Sequence, residues 1–420
     1  MLTLGKIWKI KEVRNSVLFV VGILILFRFA AHIPIPGVDP SVLEGLFEGN
    51  QFFGLLNIFS GGTLDNFSVI ALGVAPYITA SIIFQLLAMT TPKLEEMQKE
   101  EAGRAKINQW TRMATVPLAV LQGYGLLALL KQQMGGQLLF EGFDLVAALT
   151  IMTAGTIFLM WLGELITEKN IGNGISIMIF AGIIAGLPGF FQQTFVTFDR
   201  SELFTLALFA ALTIVTIIGV VFMNEGTRNI PIQYARRMRG SSMLSGVASH
   251  LPLKVNQAGV IPIIFAISIV LFPTMVAQFL MNAQSEFLQN AAVWINQMFA
   301  NQLIYGIIYF LLVFGFTYFY TSVIFHPDRV ADNLQKSGGF VPGIRPGPPT
   351  AKYVGWVSNR ILLAGAVFLS VIAVMPIAVQ HFTGASNMVI GGTSILIVVS
   401  VIIDVIKQLE GQIAMREYEY

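Results

Sequence analysis

The chain has 420 residues and a formal net charge of only +2, which leaves no bulk electrostatic attraction for nucleic acid. Of its residues 55% are hydrophobic and 11% charged; a soluble domain carries about a quarter charged residues, so the class is polytopic membrane protein. The absence of cysteine excludes disulfides, thiolate metal sites and Cys nucleophiles.

The N-terminus, MLTLGKIWKIKEVRNSVLFVVGILILF, pairs a basic start with an apolar run, as a signal peptide would. It has no small-residue cleavage site and the run continues through Phe29, Ala30 and Ala31, so it reads as a retained first span. Apolar runs of about 20 residues predict ten spans: 16–34, 69–90, 113–132, 144–165, 173–191, 203–223, 258–281, 304–325, 360–380 and 391–407. Before the second of them, FSGGTLDNFSVIALGVAPYITASIIFQLL carries a Ser-Gly-Gly turn and an Asp-Asn pair, and only Val69 to Leu87 is apolar enough to cross. Alternate connecting segments carry 22 Lys and Arg on one side against 2 on the other, with Arg28 inside the first span. The positive-inside rule then puts both termini in the cytoplasm.

Ten helices divide as five plus five. A half with an odd number of spans leaves a duplicate to enter from the other side, so two similar halves would be inverted repeats with a path at their interface. No internal sequence identity supports this, and ten helices without symmetry fit the count as well.

Three cytoplasmic segments, 91–112, 224–257 and 326–359, exceed the roughly 2–8 residues of an ordinary helix connection, and each carries a group of Lys and Arg. Topology signals and anionic-lipid contact account for the charge. They do not account for the length, nor for GGFVPGIRPGPP, whose Gly and Pro favour a stiff, shaped turn over a helix. A protruding cationic surface of this kind suits a soluble partner.

Catalytic chemistry is missing. There is no GxxxxGK[ST] phosphate loop, no HExxH and no GxSxG, so neither an enzyme nor a cofactor is indicated. His32, His250, His326 and His381 lie at membrane edges or in loops. An ion-coupled secondary transporter with inverted repeats is the competing reading, but such proteins usually hold ionisable groups at mid-membrane. Here the spans offer Arg28, with Glu164 and Asp404 towards cytoplasmic ends.

The stretches HIPIPGVD, NIFSGGTLDNFSVIALGVAPYITASIIFQLL, EKNIGNGISIMIFAGI, HLPLKVNQAGVIPIIFA, ADNLQKSGGFVPGIRPG and GGTSILIVV occur in an order that resembles the SecY family, channel subunits of the bacterial protein-conducting translocon. The resemblance runs from the first span to the tenth. It implies an all-α fold of two inverted five-helix halves, 1–200 and 201–420, and a passive, gated conduit that exports unfolded polypeptides and releases membrane helices sideways. It also implies a bacterial inner-membrane location.

By the same resemblance, a re-entrant plug helix at about 55–68 contains Ser60, Gly61, Gly62, Thr63, Leu64, Asp65 and Asn66. A pore ring comprises Val74, Ile78, Ile179, Ile264 and Ile397, with Val74 standing where a larger Ile is common. Gln85 and Asn256 flank a lateral gate between the second and seventh spans, and Arg236, Arg237, Arg239 and Arg345 dock partners. The implied partners are the small membrane subunits SecE and SecG, the motor ATPase SecA, the ribosome, signal sequences, translocating chains and lipids.

Overall fold

The computed structural model describes residues 8, 10–36, 60, 63–64, 66–133, 140, 142–196, 203–234, 238–239, 242–243, 248–281, 285–383 and 389–417. Ten helices coincide with the ten apolar runs. They are α1 (Lys11–Ala30), α2 (Ala75–Thr90), α4 (Glu101–Gln133), α5 (Phe143–Glu168), α6 (Gly174–Val196), α7 (Leu203–Glu225), α8 (Ile261–Met281), α10 (Gln302–Ile324), α12 (Pro348–Thr383) and α13 (Val389–Glu417). Among the described residues three more helices lie between them: α3 (Pro92–Lys99), α9 (Glu286–Ala300) and α11 (Pro327–Lys336). Helices α1, α5 and α12, and a stretch beginning with α10, are long and apolar enough to span a bilayer by that measure alone. A large hydrophobic cluster runs through them, joining residues of α1, α2, α4, α5, α6, α8, α10, α12 and α13.

The second span departs from its apolar run. Val69–Val74 forms turns, and α2 starts only at Ala75. Gly73 takes a left-handed φ of 58° and Pro76 stands in the first turn, where its missing N–H costs nothing. Sixteen residues rise about 24 Å, short of a hydrocarbon core of about 30 Å. Non-helical backbone survives at that depth only inside protein. Ile70, Ala71, Leu72 and Val74 are accordingly buried, and the turn is closed by Ala71 N–H to Ser68 O (2.8 Å) and Gly73 N–H to Ile70 O (2.8 Å).

The large loops are not irregular. Strand β1 (Thr227–Tyr234) pairs antiparallel with β4 (Ala248–Lys254), from Thr227 opposite Lys254 to Gln233 opposite Ala248. The short β5 (Gly339–Phe340) adds to the other edge of β1, with Gln233 opposite Phe340. A separate ribbon joins β2 (Met238–Arg239) to β3 (Ser242–Met243). The three-stranded sheet has its own small core of Ile230, Leu253, Val341, Val354 and Val357, to which α12 contributes two residues. Against expectation, the double Pro at 348–349 opens α12, again because a helix start tolerates missing N–H groups.

Candidate functional site: a plugged aliphatic centre

The segment before α2 is fastened to the end of α1. Ile35 N–H donates to Phe67 O (3.0 Å) and Val69 N–H to Ile33 O (2.9 Å), making Pro34 and Ser68 a β-bridge. Thr63 bonds to both arms of its own turn: its hydroxyl lies 3.0 Å from Ser60 O and 3.0 Å from Ile70 O. Asn66 reaches Ala31 O at 3.5 Å. Phe67 holds a φ of 42°, an unusual conformation for a bulky residue. Its fully buried ring stacks on Phe140 at 6.5 Å. On the other side Gly155 of α5 admits the Val69 carbonyl so closely that any Cβ would collide with it.

Of the residues assigned to the plug, Ser60, Thr63 and Leu64 are buried and Asn66 is half-buried, while Gly61, Gly62 and Asp65 lie outside the described residues. Ser60 is helical, whereas Thr63, Leu64 and Asn66–Val74 are not, the latter running as turns and one bridge, so the expected helix does not extend across the whole assigned stretch. Leu64 belongs to the same apolar cluster as the five ring residues.

Val74, Ile78, Ile179, Ile264 and Ile397 are all buried in that cluster. They come from the start of α2 and from α6, α8 and α13; α8 packs against α2, and α13 against α6. All five side chains are aliphatic, and a constriction of such side chains is an unfavourable place for water or an ion.

Gln85 and Asn256 do not bond to each other. Gln85 donates to Ser81 Oγ (2.9 Å), one turn back on α2. Asn256, just before α8, donates to Asn224 Oδ1 (2.6 Å) and Gly259 O (3.3 Å). Asn224 in turn donates to Ser400 Oγ (3.0 Å), and Lys407 joins Glu225 (2.8 Å) and Asn224 O (3.2 Å). Asn256 therefore ties the foot of α8 to α7 and α13. A polar contact that the sequence did not suggest lies deeper: buried Gln122 of α4 donates to Thr79 Oγ1 of α2 (3.2 Å). Gln and Thr at these positions were visible, but their partnership spans 43 residues and has no local signature. Glu164 pairs with Arg112 at 2.7 Å.

Arg345 is exposed between two glycines of left-handed φ, Gly343 (82°) and Gly347 (94°), and the Thr350 hydroxyl donates to its carbonyl at 2.8 Å. The turn is thus shaped by backbone and presents one guanidinium. Arg236 and Arg237 lie outside the described residues; Arg239 is placed in β2 by its backbone alone.

A family model described as SecY matches residues 68–406. The protein translocase subunit SecY of Mycobacterium bovis is 44% identical over 435 residues, covering 97% of this chain and 96% of its own. That of Streptomyces coelicolor is 43% identical over 438, covering 99% and 98%. Among solved structures, a protein-conducting channel superposes with a TM-score of 0.63 at 17% identity, covering 94% of this chain and 91% of its own. A SecY protein whose plug domain stabilises the closed channel gives 0.61 at 17%, covering 93% and 90%. Sec61 from a canine ribosome–channel complex gives 0.59 at 17%, covering 93% and 90%. With both a matched model over most of the chain and near full-length relatives far above 30% identity, the chain belongs to the SecY family.

Proposed function

We propose that the protein is the channel subunit of a protein translocase, a passive conduit for unfolded polypeptides with a lateral exit for membrane segments. The observation that carries this is the buried aliphatic set, Val74, Ile78, Ile179, Ile264 and Ile397, contributed by helices on both sides of the chain's midpoint. An aliphatic constriction needs no charged filter to exclude ions, and its side chains can yield to a chain of any sequence. In this reading the halves are 1–200 and 201–420, Ser60–Asn66 seal the constriction from outside, and the seam between α2 and α8 is the lateral exit.

The sheet of β1, β4 and β5 together with the exposed Arg345 turn supports docking of a motor ATPase such as SecA or of a ribosome. Arginine suits both, since its planar fork meets carboxylate or phosphate with two bonds. SecE and SecG are the proposed membrane partners, the bacterial inner membrane is the proposed location, and both termini are cytoplasmic.

The test is reconstitution in liposomes with the motor and a preprotein. Polypeptide should become protected from protease, and a Cys placed at Ile78, Ile179 or Ile264 should crosslink to a chain stalled in transit. The absence of native cysteine keeps that assay clean. No protected polypeptide and no crosslinks, together with solute uptake that follows an ion gradient, would establish the transporter reading instead.

A further inference from the structure

Helix α9, between the spans α8 and α10, has three kinds of surface. Ala292 is buried and Phe299 packs against the main core, so one side faces the protein. Glu286, Gln289, Asn290 and Gln297 lie on an exposed polar arc interrupted by Val293. Between these runs an exposed apolar edge: Phe287 is 78% exposed and Trp294, two turns on, 64%. No lysine or arginine occurs from Val255 to Asp328, so nothing there attracts an acidic partner. The edge leads into α10, whose Leu303, Ile307 and Leu311 are exposed at a four-residue spacing. That face of a membrane-spanning helix points to lipid.

We propose that α9 is an interfacial helix, its Phe287–Trp294 edge set into the outer bilayer surface as a continuation of the lipid-facing side of α10. The occupant is the boundary between headgroups and acyl chains. A large, amphipathic aromatic such as Trp is favoured at that depth, and a helix with one apolar and one polar side lies along it. The polar arc carries no cation, and its only charged residue is the acidic Glu286, so attachment does not depend on anionic lipid. Because α9 packs on α8, and α8 on α2 and α4, the helix fixes the outer end of α8 relative to the membrane surface.

The inference rests on α8 and α10 spanning the bilayer, and not on the transported cargo. Single-Cys variants F287C, W294C, N290C and Q297C are spin-labelled in the full-length protein, with I307C and L311C reporting the spanning of α10. All are reconstituted into vesicles of zwitterionic lipid. Collisions with molecular oxygen, which concentrates in the bilayer, are compared with collisions with a water-soluble nickel chelate. The expected oxygen-to-nickel ratio is several-fold higher at positions 287 and 294 than at 290 and 297, and is unchanged by added salt. Equal, nickel-dominated ratios at all four α9 positions, with oxygen-dominated ratios at 307 and 311, overturn the proposal and leave the spans intact. Shielding of 287 and 294 from both quenchers also overturns it, since a protein neighbour would then cover the edge. Nickel access at 307 and 311 would remove the spanning reading itself.

Discussion

At the residue scale, one tight constraint is the meeting of Gly155 with the Val69 carbonyl. The turn that replaces the first part of a membrane helix is held on one side by the strand-like end of α1 and on the other by α5, with no room at that glycine. Gly155→Val would push Val69 and Ile70 out of place. Overpacking of this kind costs about 1–3 kcal/mol, so the purified protein in detergent should melt several degrees lower, whereas an unchanged melting temperature would show that the turn yields freely. The site residues were unevenly legible. The five residues of the proposed ring sit in stretches with a family register, and each is buried; nothing in the chemistry of one Ile distinguishes it from another facing lipid. Asn256 shows the opposite case: a polar residue near a presumed seam whose actual partners, Asn224 and Gly259, lie in its own half of the chain.

At the scale of elements, the ten apolar helices were plain from the sequence because a bilayer demands about 20 apolar residues each time. The turn at Val69–Val74 was hidden by the same logic, since its residues are apolar in order to be buried in protein, and hydropathy does not separate that from burial in lipid. The sheet was hidden for another reason. Its β1–β5 edge joins residues more than 100 positions apart, and its strands are short and mix polar with apolar residues, so the loops advertised length and charge without their pairing. The segment assigned to the plug is tied to the stretch after α1 by the Ile35–Phe67 and Val69–Ile33 bonds, and Thr63 closes it internally onto Ser60 and Ile70. Removal of residues 60–66 should leave the protein in the membrane but raise ion conductance in planar bilayers; unchanged conductance would mean that the segment seals nothing.

At the scale of the whole molecule, a hydrophobic body carries a small three-stranded sheet, stabilised by the separate core of Ile230, Leu253, Val341, Val354 and Val357. Arg345→Glu reverses charge on an exposed turn whose shape is set by Gly343, Gly347 and the Thr350 bond. It should abolish most motor-driven export while membrane insertion and thermal stability stay at wild-type levels; normal export would remove the docking assignment from that turn.

The sheet also makes a handle. Strand β1 leaves α7 after the single residue Gly226, β4 runs on towards α8, and β5 lies in the turn that leads into α12. Val255 N–H still bonds to Gly226 O (2.8 Å) beyond the last strand pair, and Gly365 of α12 lies against the Val255 carbonyl. A body gripping this sheet would therefore hold three helices, α7, α8 and α12, at once.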